Sequence, residues 1–474
     1  MIEGLKPYPE YKESGHRWLG SVPNHWLVLP NRALFDEVKD RNHPKEEMLS
    51  VTITRGIVRQ KVLLDGSSKK DSSNLNKGAY KLVQPHDIAY NKMRAWQGAL
   101  GASTLRGIIS PAYVVMRPKK EANPWFYHNL YRTPSFAKEA ERWSYGITSD
   151  MWSLRPEHFK VIGSVLPPPE EQAAIVRFLD HANRKIDGFI RAKRKLIGLL
   201  NEQKQAIIHR AVTRGLHPDV PLKPSGIPWL GDIPKHWEVP RVKQCARKIS
   251  KGTTPSTEGR SILESGPVRF LKAENISAGR ITDKPLCFID EETNRVIRRS
   301  QLAENDILFV IAGATLGKTA VVSGEVLPAN TNQAVAFIRP NSRVVPRFLE
   351  LWLQSPRIKE LIWLNAVQSA QPNLSMADLG NFVTPVPPRN EQQEILDFVK
   401  EATKPMSDAI ARTEREIALM QEYRTRLTAD LVTGKLDVRE AAAKLPDLPT
   451  DAAAPAEPLT DEAPEESETE EAEA

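Results

Sequence analysis

The sequence predicts an α+β fold in which two homologous globular domains are separated by two long helices, and the helices pair as an antiparallel coiled coil. Three observations lead to this prediction. Two long stretches carry heptad-spaced apolar residues, a tryptophan-containing phrase occurs twice, and short β-like runs fill the segments between them. The 474 residues suffice for two or three domains, and the two halves should form a pseudo-two-fold internal repeat.

The first long helix is predicted over residues 167–213, and it opens with Pro-Pro-Pro-Glu-Glu-Gln. Its apolar seam consists of Ile175, Leu179, Ala182, Ile186, Phe189, Leu196, Leu200 and Ile207, with polar Lys193 and Gln203 at two further seam positions. A seam of this length needs a partner helix to cover it. At about 1.5 Å per residue the helix would extend roughly 60 Å.

The second long helix is predicted over residues 387–433, and it opens with a similar phrase, Pro-Pro-Arg-Asn-Glu-Gln. Its seam consists of Ile395, Val399, Ala402, Met406, Ile417, Met420, Tyr423, Leu427 and Leu431, with Ala409 or Ile410 between. Both helices end with Val-Thr followed within two residues by glycine. Because the seams match and a globular stretch separates them, the two helices can pair within one chain.

A phrase near the start of the chain returns in its middle. Residues 14–26 and 225–237 share Trp-Leu-Gly-x-x-Pro-x-His-Trp without a gap, and Trp18 and Trp229 are 211 residues apart. Shorter echoes follow in the same order, namely Asp87-Ile88 with Asp306-Ile307, Val115–Pro118 with Phe337–Pro340, and Thr133-Pro134 with Ser355-Pro356. This pattern indicates duplication of a whole domain. The first copy is predicted over residues 1–166 and the second over 229–386.

Each copy combines β-like and helical patterns. Short β-branched runs include Met48–Ile53 and Tyr113–Met116, and helical patterns occur near Trp125–Arg142 and Arg347–Leu364. Residues 214–228, rich in proline and glycine, are predicted to be a linker. Residues 434–474 form an Ala-, Pro- and Glu-rich tail that is predicted to be disordered from about residue 446 onward.

The net charge of +7 hides an asymmetry. Residues 445–474 carry 11 acidic and no basic side chains, which leaves 66 basic against 48 acidic residues, or +18, elsewhere. A body this basic favours a polyanionic partner such as nucleic acid, and a merely soluble basic protein is the alternative.

Two cysteines, Cys245 and Cys287, provide neither a disulfide framework nor metal-ligand spacing, so a reducing cytoplasm is expected. The amino terminus lacks the pattern of a signal peptide, and no apolar run reaches bilayer-spanning length.

The order of domain, long helix, homologous domain and homologous helix, with its repeated phrases, resembles the specificity subunit of type I restriction–modification enzymes. The resemblance covers residues 11–436 and leaves out the acidic tail. It implies that each copy is a target recognition domain that reads one half of a bipartite DNA target. It also implies that the helices set the half-site spacing and dock two modification (methyltransferase) subunits, with two motor-nuclease restriction subunits joining for cleavage.

The resemblance further implies a non-catalytic chain without a cofactor or metal of its own. S-adenosylmethionine, and ATP with Mg in the motor subunit, would belong to the partner subunits. Half-sites on one face of B-DNA lie about 34 Å apart per helical turn, and a stiff helix pair can fix such a spacing where a flexible linker cannot.

Candidate DNA-contacting residues are basic, amide and hydroxyl side chains in predicted loops, because these groups bond base edges and phosphates. They are Arg55, Arg59, Lys61, Lys69, Lys70, Asn91, Lys92, Arg94 and Gln97 in the first copy, and Lys251, Thr253, Thr254, Lys272, Asn275, Lys318, Asn330, Asn332 and Gln333 in the second. The motif tryptophans, Trp18, Trp26, Trp229 and Trp237, are instead expected to be core anchors.

Three stretches approach catalytic motifs without completing them. Residues 312–319 are close to a phosphate-binding loop but begin with alanine and continue as a strand, which indicates a glycine hairpin. Glu37-Val38-Lys39 lacks the upstream aspartate of metal-dependent nucleases and is interpreted as a solvated helix end. Residues 123–126, Asn-Pro-Trp-Phe, lack the second proline of the amino-methyltransferase motif.

Two other functions remain open at this point. The chain could be a coiled-coil scaffold that binds proteins without DNA specificity, and a gel shift with random DNA in the presence of the modification partner separates this from the DNA-reading hypothesis. It could also be a P-loop NTPase, which ATP binding by the isolated chain would test.

Overall fold

The computed structural model describes residues 5–64, 77–146, 152–277, 279–365 and 373–446. The chain divides into unit 1, residues 1–194 and 414–474, and unit 2, residues 195–413. The candidates Lys69 and Lys70, and the tail beyond residue 446 for which disorder was predicted, lie outside the described residues.

Unit 1 contains the first copy and is built around a four-stranded antiparallel sheet. The strands are β1 Tyr11–Glu13, β2 Ser21–Pro23, β3 Leu27–Pro30, β4 Phe35–Val38, β5 Leu49–Thr52, β6 Gly56–Arg59, β7 Lys81–Val83, β8 Ile88–Asn91, β9 Leu100–Ala102, β10 Gly107–Ile109, β11 Tyr113–Pro118 and β12 Gly163–Leu166. The helices are α1 Asn31–Leu34, α2 Gln60–Leu64, α3 Pro124–Tyr131, α4 Pro134–Arg142 and α5 Pro156–Val161, and the long α6 Pro169–Arg214 begins in this unit and continues into the residues of unit 2. The central order is β4-β11-β8-β9, and β1–β2, β3–β12, β5–β6 and β7–β10 form antiparallel pairs.

Unit 2 contains the second copy, whose central sheet has the same order, β15-β23-β20-β21. The strands are β13 Leu222–Pro224, β14 Asp232–Pro234, β15 Ala246–Lys251, β16 Val268–Leu271, β17 Ile276–Ser277, β18 Arg280–Ile281, β19 Phe288–Ile289, β20 Ile307–Val310, β21 Thr319–Val321, β22 Ala329–Thr331 and β23 Val335–Pro340. The helices are α7 Glu291–Val296, α8 Pro346–Leu353, α9 Pro356–Asn365 and α10 Met376–Asn381, and the long α11 Arg389–Val432 begins in this unit and continues into the residues of unit 1. The short α12, Arg439–Ala443, follows in unit 1.

Two of the short repeated segments contain the residues of an ion pair that both copies form. Arg117 in β11 donates to both carboxylate oxygens of buried Asp87 at 2.8 and 2.9 Å. Arg339 in β23 donates to both oxygens of Asp306 at 2.8 Å each. A bidentate guanidinium–carboxylate pair fixes geometry as well as contributing energy, so each copy holds the turn before its sheet strand in the same way.

The long helices run antiparallel in each unit. In unit 1, Asp187 of α6 pairs with Arg424 of α11, and Lys193 lies 2.6 Å from Glu416, so advancing along α6 means moving backwards along α11. In unit 2, Lys204 donates to Ser407 at 3.0 Å. The predicted antiparallel coiled coil is confirmed.

The predicted seam of α11 is buried at Ile395, Val399, Ile417, Leu427 and Leu431. The seam of α6 was wrong beyond Ile186. Phe189, Leu200 and Ile207 are half-buried and Leu196 is 41% exposed, while Ile190 and Ile208 are buried instead. An α-helix has 3.6 residues per turn, so a strict 3.5-residue repeat drifts around its surface by about 20° per heptad.

Two boundaries also need correction. The segment predicted as a linker, residues 214–228, contains β13, which pairs with β14 and so belongs to the second copy. The start of the predicted tail contains α12, and Val438 and Ala442 are buried in the core of unit 1. Both segments are rich in turn-forming or small residues, and their order comes from contacts distant in sequence.

We expect Asp187→Ala to lower the free energy of unfolding by about 3 kcal/mol, because it leaves the buried Arg424 guanidinium without this carboxylate. Glu422→Ala is the control, since it removes the exposed partner of Arg426 on the same helix and should cost less than about 0.5 kcal/mol. Chemical denaturation measures both changes. Equal effects from the two variants would show that the buried pair adds no stability.

Candidate nucleic-acid interface

Each repeated His-Trp pair binds a glutamate at the start of a long helix. In unit 1, Glu171 accepts hydrogen bonds from Trp26 Nε1 at 3.0 Å and from the Tyr8 hydroxyl, and His25 Nε2 lies 2.8 Å from its other oxygen. Burial and then the hydrogen bond to Glu171 raise the pKa of Tyr8 far above its ordinary value, so this hydroxyl remains a donor.

Unit 2 repeats this arrangement. Glu391 accepts from Trp237 Nε1 at 3.1 Å, and His236 Nε2 lies 2.7 Å from its second oxygen. In each unit the His-Trp phrase and the Glu-Gln phrase therefore bind each other, and together they form the junction between the globular copy and the start of a long helix. Within each unit this junction gives the helix a defined direction relative to the copy.

The glutamine that follows each glutamate joins the helix to the globular copy. The Gln172 side chain accepts from the Asn123 backbone N–H at 2.8 Å and donates to the Pro167 carbonyl at 2.8 Å. Gln392 likewise accepts from Val345 at 2.7 Å and donates to Pro387 at 2.8 Å. A fully bonded buried amide is intolerant of displacement, so the first turn of each helix is held from two sides.

The end of the other long helix packs on the same tryptophan. Gly434 has a φ of 78°, and a Cβ there would lie 2.3 Å from Pro23 and 2.9 Å from the ring of Trp26. Gly215 has a φ of 72° and also lies beside the second motif, since a Cβ would be 3.3 Å from Trp237. The left-handed backbone favours glycine at both positions, and at Gly434 the close approach also leaves no room for a side chain.

The prediction that the motif tryptophans are core anchors is confirmed. Trp26 and Trp237 are fully buried, and Trp18 donates to the Gly163 carbonyl at 3.1 Å. Trp229 stacks on Trp352 with ring centroids 6.0 Å apart.

The central sheet gives each copy one polar edge. In the first copy β4 and β8 run parallel, with β11 antiparallel between them, so their carboxyl ends meet at the edge where β11 begins. Lys39 follows β4, and Asn91 and Lys92 lie at the end of β8. Arg41 bridges to Lys81, whose Nζ donates to the carbonyl of Tyr113.

The other described first-copy candidates lie in two turns, at the end of β6 and in the short helix α2. Arg55 is half-buried in the β5–β6 turn, and Arg94 and Gln97 lie in the β8–β9 turn beside Lys92. Arg59 and Lys61 converge on one carboxylate, Glu47, at 3.2 and 2.7 Å.

The second copy places several candidates at the matching edge. Exposed Lys251 ends β15, exposed Gln333 precedes β23, and exposed Lys318 precedes β21. Half-buried Thr253, Thr254, Lys272 and Asn332 lie in the neighbouring loops.

Two predicted contacts were wrong because their side chains are buried within the second copy. Asn275 is 1% exposed and donates to the carbonyls of Thr282 and Pro285 at 3.0 and 2.7 Å. Asn330 is fully buried and donates to Asn294 Oδ1 at 2.9 Å. An amide beside a strand looks the same in sequence whether it faces solvent or closes a loop.

The incomplete catalytic motifs have structural roles. Residues 312–318 connect β20 to β21, which are antiparallel with Phe309 opposite Thr319, so the predicted glycine hairpin is confirmed. The helix-end interpretation of Glu37 was wrong, because this residue lies in β4 and binds Lys160 at 2.7 Å. The Asn123 side chain accepts from the backbone of Trp125 and caps α3.

Several basic residues at this edge were not among the candidates predicted from the sequence. Lys39, Arg41 and Lys81 reach the polar edge only through strand pairing. A second basic feature lies at the amino end of β15, where a cavity of about 470 Å³ is lined by residues that include Lys243, Arg247, Lys248 and Asn381. The available signals were the basic residues within β15 and the pair Lys39 and Arg41 just after β4.

None of the helices in the described ranges combines the length and apolarity needed to cross a membrane.

A family model described as the type I restriction modification DNA specificity domain matches residues 234–418. The EcoBI specificity subunit of Escherichia coli is 27% identical over 313 residues, which cover 61% of this chain and 64% of that subunit, just under two thirds of its length. The EcoKI specificity subunit of Escherichia coli strain K12 is 21% identical over 479 residues, covering 92% of this chain and 97% of that subunit.

A solved chain from a study of complex assembly and conformational transition of the type I R-M system has the same fold. Its TM-score is 0.60 at 14% sequence identity, and the match covers 87% of this chain and 98% of that chain.

We expect Glu171→Ala to lower the free energy of unfolding by about 2–4 kcal/mol, because the buried indole of Trp26 and the hydroxyl of Tyr8 would lose their acceptor. Glu170→Ala is the matched control, since the adjacent side chain is exposed and should change stability by less than about 0.5 kcal/mol. Denaturant unfolding followed by tryptophan fluorescence measures both. A Glu171 variant as stable as the Glu170 variant would show that the hydrogen bonds to Glu171 do not stabilise the fold.

Proposed function

We propose that this chain, which belongs to the family of type I restriction–modification specificity subunits, is the DNA-reading subunit of such a complex. Residues 1–166 and 229–386 would be the two target recognition domains, each reading one half of a bipartite target. The observation that carries this proposal is the repeated sheet edge, because both copies bring basic and amide side chains to the same end of the same four strands. Basic groups there suit phosphates, and amides suit base edges.

The divergence of that edge supports two different half-sites. The first copy presents Lys92, Arg94 and Gln97 on the β8–β9 turn, and the second presents Lys318 on the matching β20–β21 turn. Different donors and acceptors on the same scaffold would read different bases. Duplication followed by divergence of these turns therefore fits an asymmetric bipartite target.

The chemistry would come from partner subunits that meet this chain in the cytoplasm. Specificity subunits of this family recognise DNA and are not themselves enzymes. We propose that two methyltransferase subunits supply S-adenosylmethionine chemistry, and that motor-nuclease subunits, where present, supply ATP with Mg.

Exposed apolar side chains on the long helices support docking of those methyltransferase subunits. In unit 2, Leu199 of α6 is 53% exposed and Phe398 of α11 is 47% exposed. In unit 1, Leu419 of α11 is 63% exposed. Large apolar groups left in water on otherwise polar helices favour a protein partner that covers them.

Mapping of methylated sites in the host genome should show one bipartite motif, and exchange of residues 18–165 for those of another family member should change only one half of it. The reason is that each half is read by one copy whose junction to the helices is self-contained. Genome-wide methylation analysis of cells carrying the wild-type and exchanged chains is the measurement. A change in both halves, or a continuous motif, would contradict one domain reading each half-site.

Leu199→Gln should weaken association with the methyltransferase subunit by about tenfold while leaving the thermal midpoint unchanged, because it alters only exposed apolar surface. The control is Lys195→Gln, an exposed position one turn earlier on α6. Analytical ultracentrifugation of mixtures of the two subunits gives the affinity. Unchanged association of the Leu199 variant would place the docking surface elsewhere.

A further inference from the structure

Lys81 is a buried lysine among other cations. It is 7% exposed, and its ammonium group donates to the Tyr113 carbonyl at the edge where β8 ends and β11 begins. Arg41 lies opposite Lys81 at an isolated antiparallel β-bridge. Lys92 comes directly after Asn91, which is opposite Tyr113 in the sheet. An ammonium has three donors, so the bond to Tyr113 leaves capacity for an anion.

Among the described residues with the largest effects on the pKa of Lys81, Glu37 is the carboxylate, and it is already engaged. Its oxygens lie 2.7 Å from Lys160 and 3.5 Å from Lys39. Burial, then the charges of Lys92 and Arg41, lower the pKa of Lys81 from 10.5 to about 8, with Lys39 adding to this effect and Glu37 opposing it.

The second copy shows that the fold does not need these charges. In the first copy Asn91 pairs with Tyr113, and in the second copy Val310 makes the equivalent pair with Val335. The next residue in each chain segment is Lys92 in the first copy and Ile311 in the second, so these two positions correspond. Lys81 lies six residues before Asp87, and Ser300 lies six residues before the equivalent Asp306, so Ser300 occupies the position of Lys81 in the second copy. Both Ile311 and Ser300 are buried and uncharged.

A buried cation with cationic neighbours destabilises the folded domain unless an anion is bound there. The same sheet with serine and isoleucine at these positions avoids that cost. The cluster is therefore better explained by a ligand than by packing, and the edge on which it lies is the one assigned to DNA.

We propose that Lys81, Lys92 and Arg41 form an anchor for a backbone phosphate of the DNA held by the first copy, an anchor that the second copy lacks. This inference rests on the proposed function, because it takes duplex DNA as the source of the phosphate. The phosphate supplies the missing counter-charge and accepts hydrogen bonds from the Lys81 ammonium. It positions the first recognition domain on the backbone and carries no sequence information itself.

The lowered pKa gives the anchor a pH dependence with a defined sign. Free Lys81 loses its proton as the pH rises through about 8, and a bound phosphate would favour the charged form. DNA binding should therefore be accompanied by proton uptake above pH 8 and weaken as the pH rises from 7 to 9.5. Lys81→Arg should keep the affinity at pH 7 and lose this part of the pH dependence, since a guanidinium stays charged throughout that range.

The test uses the full chain assembled with its methyltransferase subunits. Lys81→Met should weaken binding to the methylation-mapped target duplex and to a random duplex by the same factor, roughly tenfold, and should reduce the slope of log affinity against log salt by about 1. Lys138→Met, at an exposed lysine on α4 of the same copy, should leave both quantities unchanged. Fluorescence anisotropy over a series of KCl concentrations provides the affinities.

Stability provides an independent readout of the buried charge. Because the pKa of Lys81 is lower when folded, its charged form costs stability below pH 8, and that cost fades as the pH rises towards 10.5. Lys81→Met should therefore raise the thermal midpoint more at pH 7 than at pH 9.5. A variant that is more stable yet binds DNA less well cannot owe its weaker binding to misfolding.

Two results would overturn the anchor. An unchanged affinity and salt slope for Lys81→Met would make Lys81 a structural residue, and a loss confined to the mapped target would make it a base reader. Failure of the proposed function looks different, because the wild-type complex would then show no preference for the mapped target over the random duplex.

Discussion

The carboxylate at the start of each long helix is the contact on which each unit depends. Glu171 and Glu391 satisfy the indole N–H of a fully buried tryptophan and face the preceding histidine, and the same tryptophan packs against the glycine that ends the other helix. A buried indole without an acceptor is costly, so the helix start cannot slide without losing stability. One side chain in each copy thereby orients the beginning of one helix and the end of the other.

This junction separates what the two copies must share from what they can change. Both keep the sheet order and the bidentate pair of Asp87 with Arg117 or Asp306 with Arg339. Away from that frame they diverge, since Lys81 and Lys92 of the first copy correspond to Ser300 and Ile311 of the second. The charged cluster around Lys81 belongs to the first copy alone. A fixed frame with variable edges is what two unlike half-sites require of one duplicated domain.

The helix pair is held by polar as well as apolar groups. Asp187 and Arg424 are buried together, and Thr403 and Thr413 occupy seam positions of α11 that apolar residues would normally fill. Buried polar pairs in coiled coils fix register more than they add stability, because any shifted register leaves a buried charge without its partner. Such a pair suits helices whose function is to keep a fixed alignment.

The sequence by itself determined the duplication, the two long helices and their antiparallel pairing, because heptad spacing and the Trp-Leu-Gly…His-Trp phrase are local and repeat. It also identified the motif tryptophans as core anchors. Tertiary structure alone decided that Asn275 and Asn330 are buried, that the α6 seam passes through Ile190 instead of Phe189, and that Arg41, Lys81 and Lys92 converge. Those outcomes follow from which strands pair and how far a helix drifts over many turns, and both are set by contacts between residues far apart in the chain.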